Sequence, residues 1–181
     1  MKYVRAFAVF AVTLIVAFST LSQSVAPRAV AQTPTAPPFS YQSEILMKNP
    51  VVCARWGSQE TLLRRGYYVG NTGFGYDKMY NYHQIRKFGV WVATVGVLAG
   101  CAPDADPTTA VFRNYFERVQ CSFWIINCRA TGEIQWVRSV ESNRLDQNMT
   151  TSDKRKGNIS IYCENPATAP LCPDWMAKVP V

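Results

Sequence analysis

The only histidine of the chain, His83, lies in the stretch GFGYDKMYNYHQIRKFG at residues 73–89. An imidazole has an unperturbed pKa of about 6.5 and can therefore accept or donate a proton near neutral pH. Cleavage of RNA needs such a group, a second proton carrier, and cations that hold the phosphate. The residues whose types suit those further roles are Lys78, Arg86, Arg113 and Arg138 for the phosphate, Glu133 or Glu141 for the second proton, and Tyr76 or Tyr80 to stack a base.

A packing role explains the same histidine without any chemistry. Residues 76–87 are predicted to form a helix, with Asp77 in its first turn and Gly89 as its C-terminal cap. Four residues would share one stripe of this helix at about 100° per residue: Tyr76, Met79, Tyr80 and His83. We favour the interpretation in which this stripe faces a sheet and His83 lies at the edge of the contact, because aromatic stripes at helical spacing usually pack.

The sequence gives little support to other catalytic, cofactor or metal chemistry. The GxSxG pattern of serine hydrolases does not occur. The glycine-rich stretch at residues 70–75 is not followed by the Lys-Ser/Thr pair of a phosphate-binding loop. A zinc site would lack its usual ligand spacing, because the chain has no CxxC and one histidine. We therefore predict no cofactor and no metal.

The first 31 residues predict a signal peptide. A short basic segment precedes an apolar run of 13 residues at positions 6–18, which is short for a membrane span. Small residues at positions 29–31 suit a cleavage site, so we expect the cut before Gln32. The alternative is an uncleaved membrane anchor. Cleavage would place the mature chain outside the cell as a secreted protein.

The mature chain is predicted to be one domain without a membrane span. Residues 32–42 are rich in Pro and Thr and are expected to be a disordered leader, which leaves residues 43–181 as a single secreted domain. The first 31 residues hold three of the 19 Lys and Arg residues and none of the 12 acidic ones, so the rest has a net charge of +4. That charge permits a polyanionic partner such as RNA but does not demand one.

The cysteines predict a disulfide-stabilised protein. Six cysteines follow the leader: Cys53, Cys101, Cys121, Cys128, Cys163 and Cys172. An even number behind a signal peptide is typical of disulfides, and several pairings are open. Sequence proximity favours Cys121–Cys128 and Cys163–Cys172, which leaves Cys53–Cys101.

Two of the three segments that precede the second half allow more than one structure, and the third is predicted to be a loop. Ser58 could cap a short helix that ends at Leu63, or residues 61–69 could form a strand. The apolar segment at residues 90–100 is rich in β-branched residues, which favours a strand, but its length also allows a buried helix. Residues 101–109 contain two prolines and are predicted to be a loop.

The second half predicts a sheet. Strands are expected at residues 111–121, 133–141 and 158–163, with a polar turn at 152–158 before the last of them. Within the second strand, Ile134, Trp136 and Arg138 alternate with Gln135, Val137 and Ser139. The order of these elements predicts an α+β fold. A helix packs on a small antiparallel sheet of three to four strands, stapled by up to three disulfides.

Several motifs together resemble a group of small secreted proteins from actinobacteria. The shared motifs are an LRRG stretch, a GFGxxKxxxxH helix, a CxxWxxxxC hairpin and a YC…CPDW tail, which here fall between about residues 61 and 176. The resemblance implies secretion and the two short disulfides, and it implies no activity, since the group is uncharacterised. Cys53 and Cys101 are not part of the group's pattern.

A second resemblance concerns the order of elements only. A glycine-flanked helix with a histidine, followed by a four-stranded sheet, is similar to the small ribonuclease domains of bacterial toxins. It implies His83 as general acid or base.

We expect a non-catalytic extracellular binding or interaction domain, whose partner would be an extracellular protein or a component of the cell envelope. The alternative is a secreted ribonuclease-like toxin or effector that acts on RNA through His83, with Lys78, Arg113, Arg138 and Glu141 as further site residues.

Overall fold

The computed structural model describes residues 37–54, 56–96, 101–122, 127–164 and 171–178. The chain divides into two compact units, Met1–Thr33 and Pro34–Val181, and all the described residues belong to the second. The predicted signal peptide at residues 1–31 lies outside the described residues and stays a prediction. Among the described residues, no helix is long and apolar enough to cross a membrane.

Two hairpins come first. β1 (Ile45–Cys53) pairs with β2 (Gly57–Arg64), and β3 (Tyr67–Val69) pairs with β4 (Thr72–Phe74), both antiparallel. The short helix predicted from Ser58 is therefore wrong, and the alternative strand at 61–69 is divided between β2 and β3. The physical reason is burial. The last four residues of β2 are all buried, which a one-sided surface helix would not allow.

The predicted helix at 76–87 is two helices. α1 (Gly75–Asn81) and α2 (Phe88–Val95) are separated by a connection in which Gln84 has a left-handed φ of 59°. Gly89 is therefore inside α2 and is not a cap. In one continuous helix His83 and Ile85 would point about 200° apart, yet both are buried, so the chain must turn between them.

The predicted helical stripe is also only partly right. Met79 is fully buried, whereas Tyr80 is exposed and pairs with Tyr76 at 5.8 Å between ring centroids. For the segment at 90–100, the helix alternative is confirmed as far as Val95. Residues 97–100 lie outside the part of the chain that the structure describes.

The second half forms one four-stranded antiparallel sheet. Its strands are β5 (Cys101–Pro103), β6 (Thr109–Cys121), β7 (Cys128–Leu145) and β8 (Arg155–Cys163), in the order β5-β6-β7-β8. All three predicted strands are confirmed and are longer than expected. β5 occupies the start of the predicted loop at 101–109, and β8 includes the end of the predicted turn at 152–158. Both segments are strands because their backbones pair with a neighbour, β5 with β6 and β8 with β7.

The core lies where β1, β2 and α2 meet one face of this sheet, which confirms the α+β class. Trp91 of α2, Phe112 of β6, Val137 of β7 and Ile161 of β8 are fully buried there. The predicted alternation along β7 is confirmed, because Gln135, Val137 and Ser139 are buried whereas Ile134 and Trp136 are exposed.

All three predicted disulfides are present, Cys53–Cys101, Cys121–Cys128 and Cys163–Cys172. The first joins β1 to β5, the second closes the β6–β7 hairpin, and the third ties the end of β8 to the tail. In the tail, a short 3-10 helix (Asp174–Lys178) contributes the buried side chain of Met176 to the core.

The packed part of the chain begins before residue 43, the predicted start of the domain. Phe39 and Gln42, which fall within the predicted leader, are 7% and 3% exposed. The Gln42 amide donates to the Phe39 carbonyl, and the Gln42 side chain accepts from the Phe39 amide. Burial of Phe39 and Gln42 and the two hydrogen bonds between them thus enclose this turn. Residues 32–36 lie outside the described residues.

Candidate functional site

His83 lies in the connection between α1 and α2 and is 5% exposed. Its Nε2 is 3.1 Å from the hydroxyl oxygen of Ser160 on β8. Its ring centroid lies 4.7 Å from that of Tyr82 and 5.6 Å from that of Tyr162. Its backbone carbonyl accepts a hydrogen bond from the Cys172 amide at 3.1 Å. These contacts place the imidazole in a packed aromatic setting at the α1–β8 contact.

The side chains that contact His83 from β8 lie on the outward face of the sheet, which is the face opposite the core. Ser160 and Tyr162 alternate along β8 with the core residues Ile161 and Cys163, so they lie on the opposite face. Tyr162 is directly opposite Arg138 of β7, and residues directly opposite on paired strands share a face.

The same face continues across β6. Arg138 is directly opposite Arg113, and Tyr115 is directly opposite Trp136, with 5.4 Å between the two ring centroids. Ile134, two residues before Trp136, extends the row. We call this surface the aromatic–arginine face, and it consists of Arg113, Tyr115, Ile134, Trp136, Arg138 and Tyr162.

Large apolar side chains on this face are open to solvent. Tyr115 is 54% exposed, Ile134 is 55% exposed and Trp136 is 45% exposed. A single exposed apolar residue is ordinary on a protein surface, whereas three neighbours form a contiguous apolar patch beside charged side chains. A rigid antiparallel sheet holds all three in place.

Arg113 is held by neighbours on this face. Its Nε donates to Glu164 Oε2 at 3.0 Å and its Nη2 donates to the same oxygen. Its guanidinium carbon lies 5.2 Å from the centroid of the Trp136 ring. The ion pair and the cation–π contact together fix both the arginine and one side of the tryptophan.

Arg138 is held differently. The side chain is half-buried, and its Nε is enclosed without a hydrogen-bond partner. Within the described residues, it also takes part in none of the side-chain ion pairs or side-chain hydrogen bonds. The two arginines are therefore opposite each other on paired strands, and only Arg113 has a carboxylate partner.

Glu141 lies on the other face of β7, fully buried in the core. Four side chains donate hydrogen bonds to its carboxylate: Thr61 at 2.6 Å, Trp91 at 2.9 Å, Ser139 at 2.7 Å and Asn158 at 2.7 Å. These donors come from β2, α2, β7 and β8, so the carboxylate joins the first hairpin, the second helix and the sheet.

Burial raises the pKa of the Glu141 carboxyl above its ordinary value, and the hydrogen bonds from Thr61, Asn158, Ser139 and Trp91 oppose that rise. Desolvation disfavours the charged form, whereas donated hydrogen bonds favour it. Glu141 is thus built into the core as a junction of hydrogen bonds, and β7 separates it from the face on which Arg138 lies.

Lys78 lies on α1. Burial lowers the pKa of its ammonium group, and the nearby charge of Lys156 on β8 lowers it further. Glu133, the other candidate proton carrier, is exposed on β7, where it accepts hydrogen bonds from Arg118 at 3.0 Å and from Trp175 at 2.8 Å.

The structure brings together some of the residues that the sequence singled out. Arg113 and Arg138 share the aromatic–arginine face, and His83 adjoins it through Tyr162. Glu141 lies on the opposite side of β7, away from that face. Sequence reasoning did not single out Tyr115 and Tyr162 as site residues, although the alternation along the second strand already put Trp136 and Arg138 on one face.

Among the described residues, no group of three or more His, Cys, Asp or Glu side chains is arranged to hold a metal ion. In comparisons with known proteins, no family model, no curated protein and no solved structure matches this chain.

Proposed function

We propose that this chain is a secreted, non-catalytic binding domain that contacts an extracellular protein or cell-envelope component through its aromatic–arginine face. The observation that carries the proposal is the solvent exposure of Tyr115, Ile134 and Trp136 side by side on a rigid sheet. Tyr, Trp and Arg are the residues that contribute most to binding energy in protein interfaces.

Three disulfides support the extracellular part of this proposal, since such bonds persist in oxidising compartments. The predicted signal peptide points the same way. We also propose that the chain is related to the small secreted actinobacterial proteins that it resembles in its LRRG, GFG, CxxWxxxxC and YC…CPDW motifs.

The ribonuclease alternative has less support. It requires a base, an acid and phosphate-binding cations around one reacting position. His83 is buried beside Ser160 and Tyr162, and Glu141 lies on the other side of β7 from Arg138.

The test of the binding proposal is capture of partners from fractionated cell-envelope and secreted extracts on the immobilised, oxidised protein. We expect Trp136→Ala to reduce capture by about tenfold or more. Tryptophans that are buried in an interface commonly contribute about 2 kcal/mol or more to the free energy of binding, which is more than a tenfold change in affinity requires. Leu145→Ala is the matched control, because Leu145 is also an exposed apolar residue of β7.

Equal capture by the two variants, or no specific capture from wall, lipid and protein fractions, would contradict the proposal. Cleavage of RNA by the oxidised protein that is lost in His83→Ala, with the fold intact by circular dichroism, would favour the ribonuclease alternative instead.

A further inference from the structure

Two arginines directly opposite each other on paired strands are an unfavourable arrangement. Arg113 of β6 and Arg138 of β7 occupy such a pair in the register of the sheet. Like charges at directly opposed positions destabilise a sheet, whereas an opposite-charge or apolar pair would stabilise it. Positions where a sequence departs from such a local rule are where functional sites are expected.

Neighbouring side chains offset the like-charge repulsion for only one of the two arginines. Arg113 has an ion pair with Glu164 and a cation–π contact with Trp136. Arg138 has neither kind of contact among the described residues, and its Nε is enclosed without a partner. The Nε of Arg138 is thus enclosed, and none of the ion pairs among the described residues neutralises the charge of its guanidinium.

The surroundings of this charge are aromatic and aliphatic. Tyr162 is directly opposite Arg138 on β8, and Trp136 is two residues away on the same face of β7. Ile134 follows at the next position of that face and is 55% exposed. A ligand group that neutralises Arg138 would therefore have apolar surface beside it on the protein.

We propose that the aromatic–arginine face binds an extended acidic peptide segment of a partner protein. In this complex a carboxylate of the segment pairs with Arg138, and a neighbouring apolar side chain packs on Trp136 and Ile134. This inference rests on the proposed binding function and names the chemistry of the partner at that face. Arginine suits the role because its planar guanidinium can donate two parallel hydrogen bonds to one carboxylate.

The number of charges favours a single carboxylate over a polyanion. Binding of RNA or another polyanion draws on several cations that each neutralise a phosphate or an acid. On this face Arg113 is already paired with Glu164, and the carboxylate of Glu117 lies in the next row beyond Tyr115. One uncompensated arginine matches one acidic side chain.

The aliphatic part of the face favours a peptide over an acidic sugar. A sugar ring would stack on the aromatic side chains and would leave Ile134 uncovered. Val119, further along β6, is 56% exposed and adds a second branched aliphatic side chain. Apolar side chains of a peptide can cover such residues together with Trp136 and Tyr115.

The test is selection from a library of random linear peptides on the oxidised protein, secreted from its full-length chain. We expect enrichment of peptides in which Asp or Glu neighbours an apolar residue. Arg138→Gln should weaken binding of an enriched peptide by about tenfold or more, because a charge-assisted pair is lost. Arg138→Lys should restore part of it. Arg129→Gln is the matched control, since Arg129 is an exposed arginine of the same strand.

A paired change separates a binding role of Arg138 from a structural one. Replacing the acid of the enriched peptide by its amide should weaken binding to the wild type but should have little effect on binding to Arg138→Gln. Arg138→Gln should also unfold at the same temperature as the wild type or a higher one, since the like-charge pair is removed.

The peptide selection would overturn the inference by giving no enrichment at all, enriched peptides without an acid, or acid-to-amide effects that persist in Arg138→Gln. Stronger, Arg138-dependent binding of oligouridylate or oligogalacturonate would overturn it in favour of a polyanion. If extract capture depends on Trp136 but not on Arg138, the proposed binding function stands and this inference alone fails.

Discussion

Glu141 shows how the environment of a residue decides what its chemical type can do. A carboxylate on a strand is by type a candidate proton carrier, but this one is buried and accepts four hydrogen bonds from Thr61, Trp91, Ser139 and Asn158. His83 is a comparable case. Its Nε2 faces the Ser160 hydroxyl where the connection between α1 and α2 packs on β8, and this contact is buried. Both side chains are enclosed and hydrogen-bonded in this structure.

The pH dependence of stability should reveal the buried carboxyl. Because the pKa of Glu141 is raised in the folded state, the folded protein holds its proton at pH values where the unfolded chain has released it. Stability from this group is therefore present below the unfolded pKa of about 4.3, and it is lost as the pH rises toward the folded value.

We expect Glu141→Gln to remove that loss, because an amide keeps the size and stays uncharged. The difference in free energy of unfolding between Glu141→Gln and wild type should grow in favour of the variant as the pH rises above the unfolded pKa of about 4.3, measured by chemical denaturation. Subtracting the curves removes the contributions of Asp106, Glu133 and Asp153, whose lowered pKa values have the opposite pH dependence.

A matched variant tests the hydrogen-bond network itself. Glu141→Leu should destabilise at every pH, because it removes the shared acceptor of four buried donors, of which Asn158 Nδ2 keeps a second partner in Ser139 Oγ. The cost should be about 1–3 kcal/mol for each donor that stays unsatisfied. A pH-independent difference between Glu141→Gln and wild type would contradict the assignment of the raised pKa.

At the scale of elements, the close approach of β2 to β8 positions the site residues more than any single sequence motif does. β2 crosses β8 so closely that a Cβ on Gly157 would lie 2.3 Å from the Leu62 carbonyl oxygen. This contact seats the first hairpin against the sheet, with Glu141 accepting from Thr61 beside it. The sheet can then present its other face, with Tyr115 and Trp136, to solvent.

Gly157→Ala should therefore destabilise the protein by about 2–5 kcal/mol, from left-handed strain plus the clash with β2. Gly132→Ala is the control, because Gly132 has a φ of 79° against 76° for Gly157 but has nothing within 4 Å of the position that an added methyl group would occupy. Its cost should be about 1–2 kcal/mol from strain alone. Equal free energies of unfolding for the two variants would contradict the close-approach argument.

At the scale of the whole molecule, the disulfides act on different parts of the structure. Cys53–Cys101 joins the first hairpin to the edge of the sheet across 48 residues of sequence, whereas Cys121–Cys128 spans 7 residues within one hairpin. Both cysteines of the second pair are exposed, and residues 128–134 of β7 are exposed as well. That hairpin end thus extends beyond the core.

Removing the longer link should cost more. By loop entropy, Cys53→Ala with Cys101→Ala should lower the free energy of unfolding by about 4 kcal/mol, and Cys121→Ala with Cys128→Ala by about 2.5 kcal/mol. Denaturant unfolding of the two double variants under oxidising conditions measures both values. A larger loss from the hairpin pair would show that the end of this hairpin contributes to the core.

The sequence predicted those parts of the fold that depend on local pattern or on chain proximity. Alternation along residues 133–141 was enough to find the strand and to separate Trp136 and Arg138 from Val137 and Ser139. Cysteine spacing was enough to favour the three disulfide pairs. Boundaries were less accurate, since the turn at Gln84 divides one predicted helix into two so that both His83 and Ile85 can be buried.

By itself, the sequence determined which residue types were available: one histidine, twelve arginines, six cysteines and a strand whose two faces differ in composition. Only the tertiary structure decided which of them meet. Register put Arg113 opposite Arg138 and Tyr115 opposite Trp136, and the packing of β2 and α2 on the sheet enclosed Glu141. These contacts join residues up to 80 positions apart in the chain. They depend on long-range pairing and burial, which no local pattern of residues encodes.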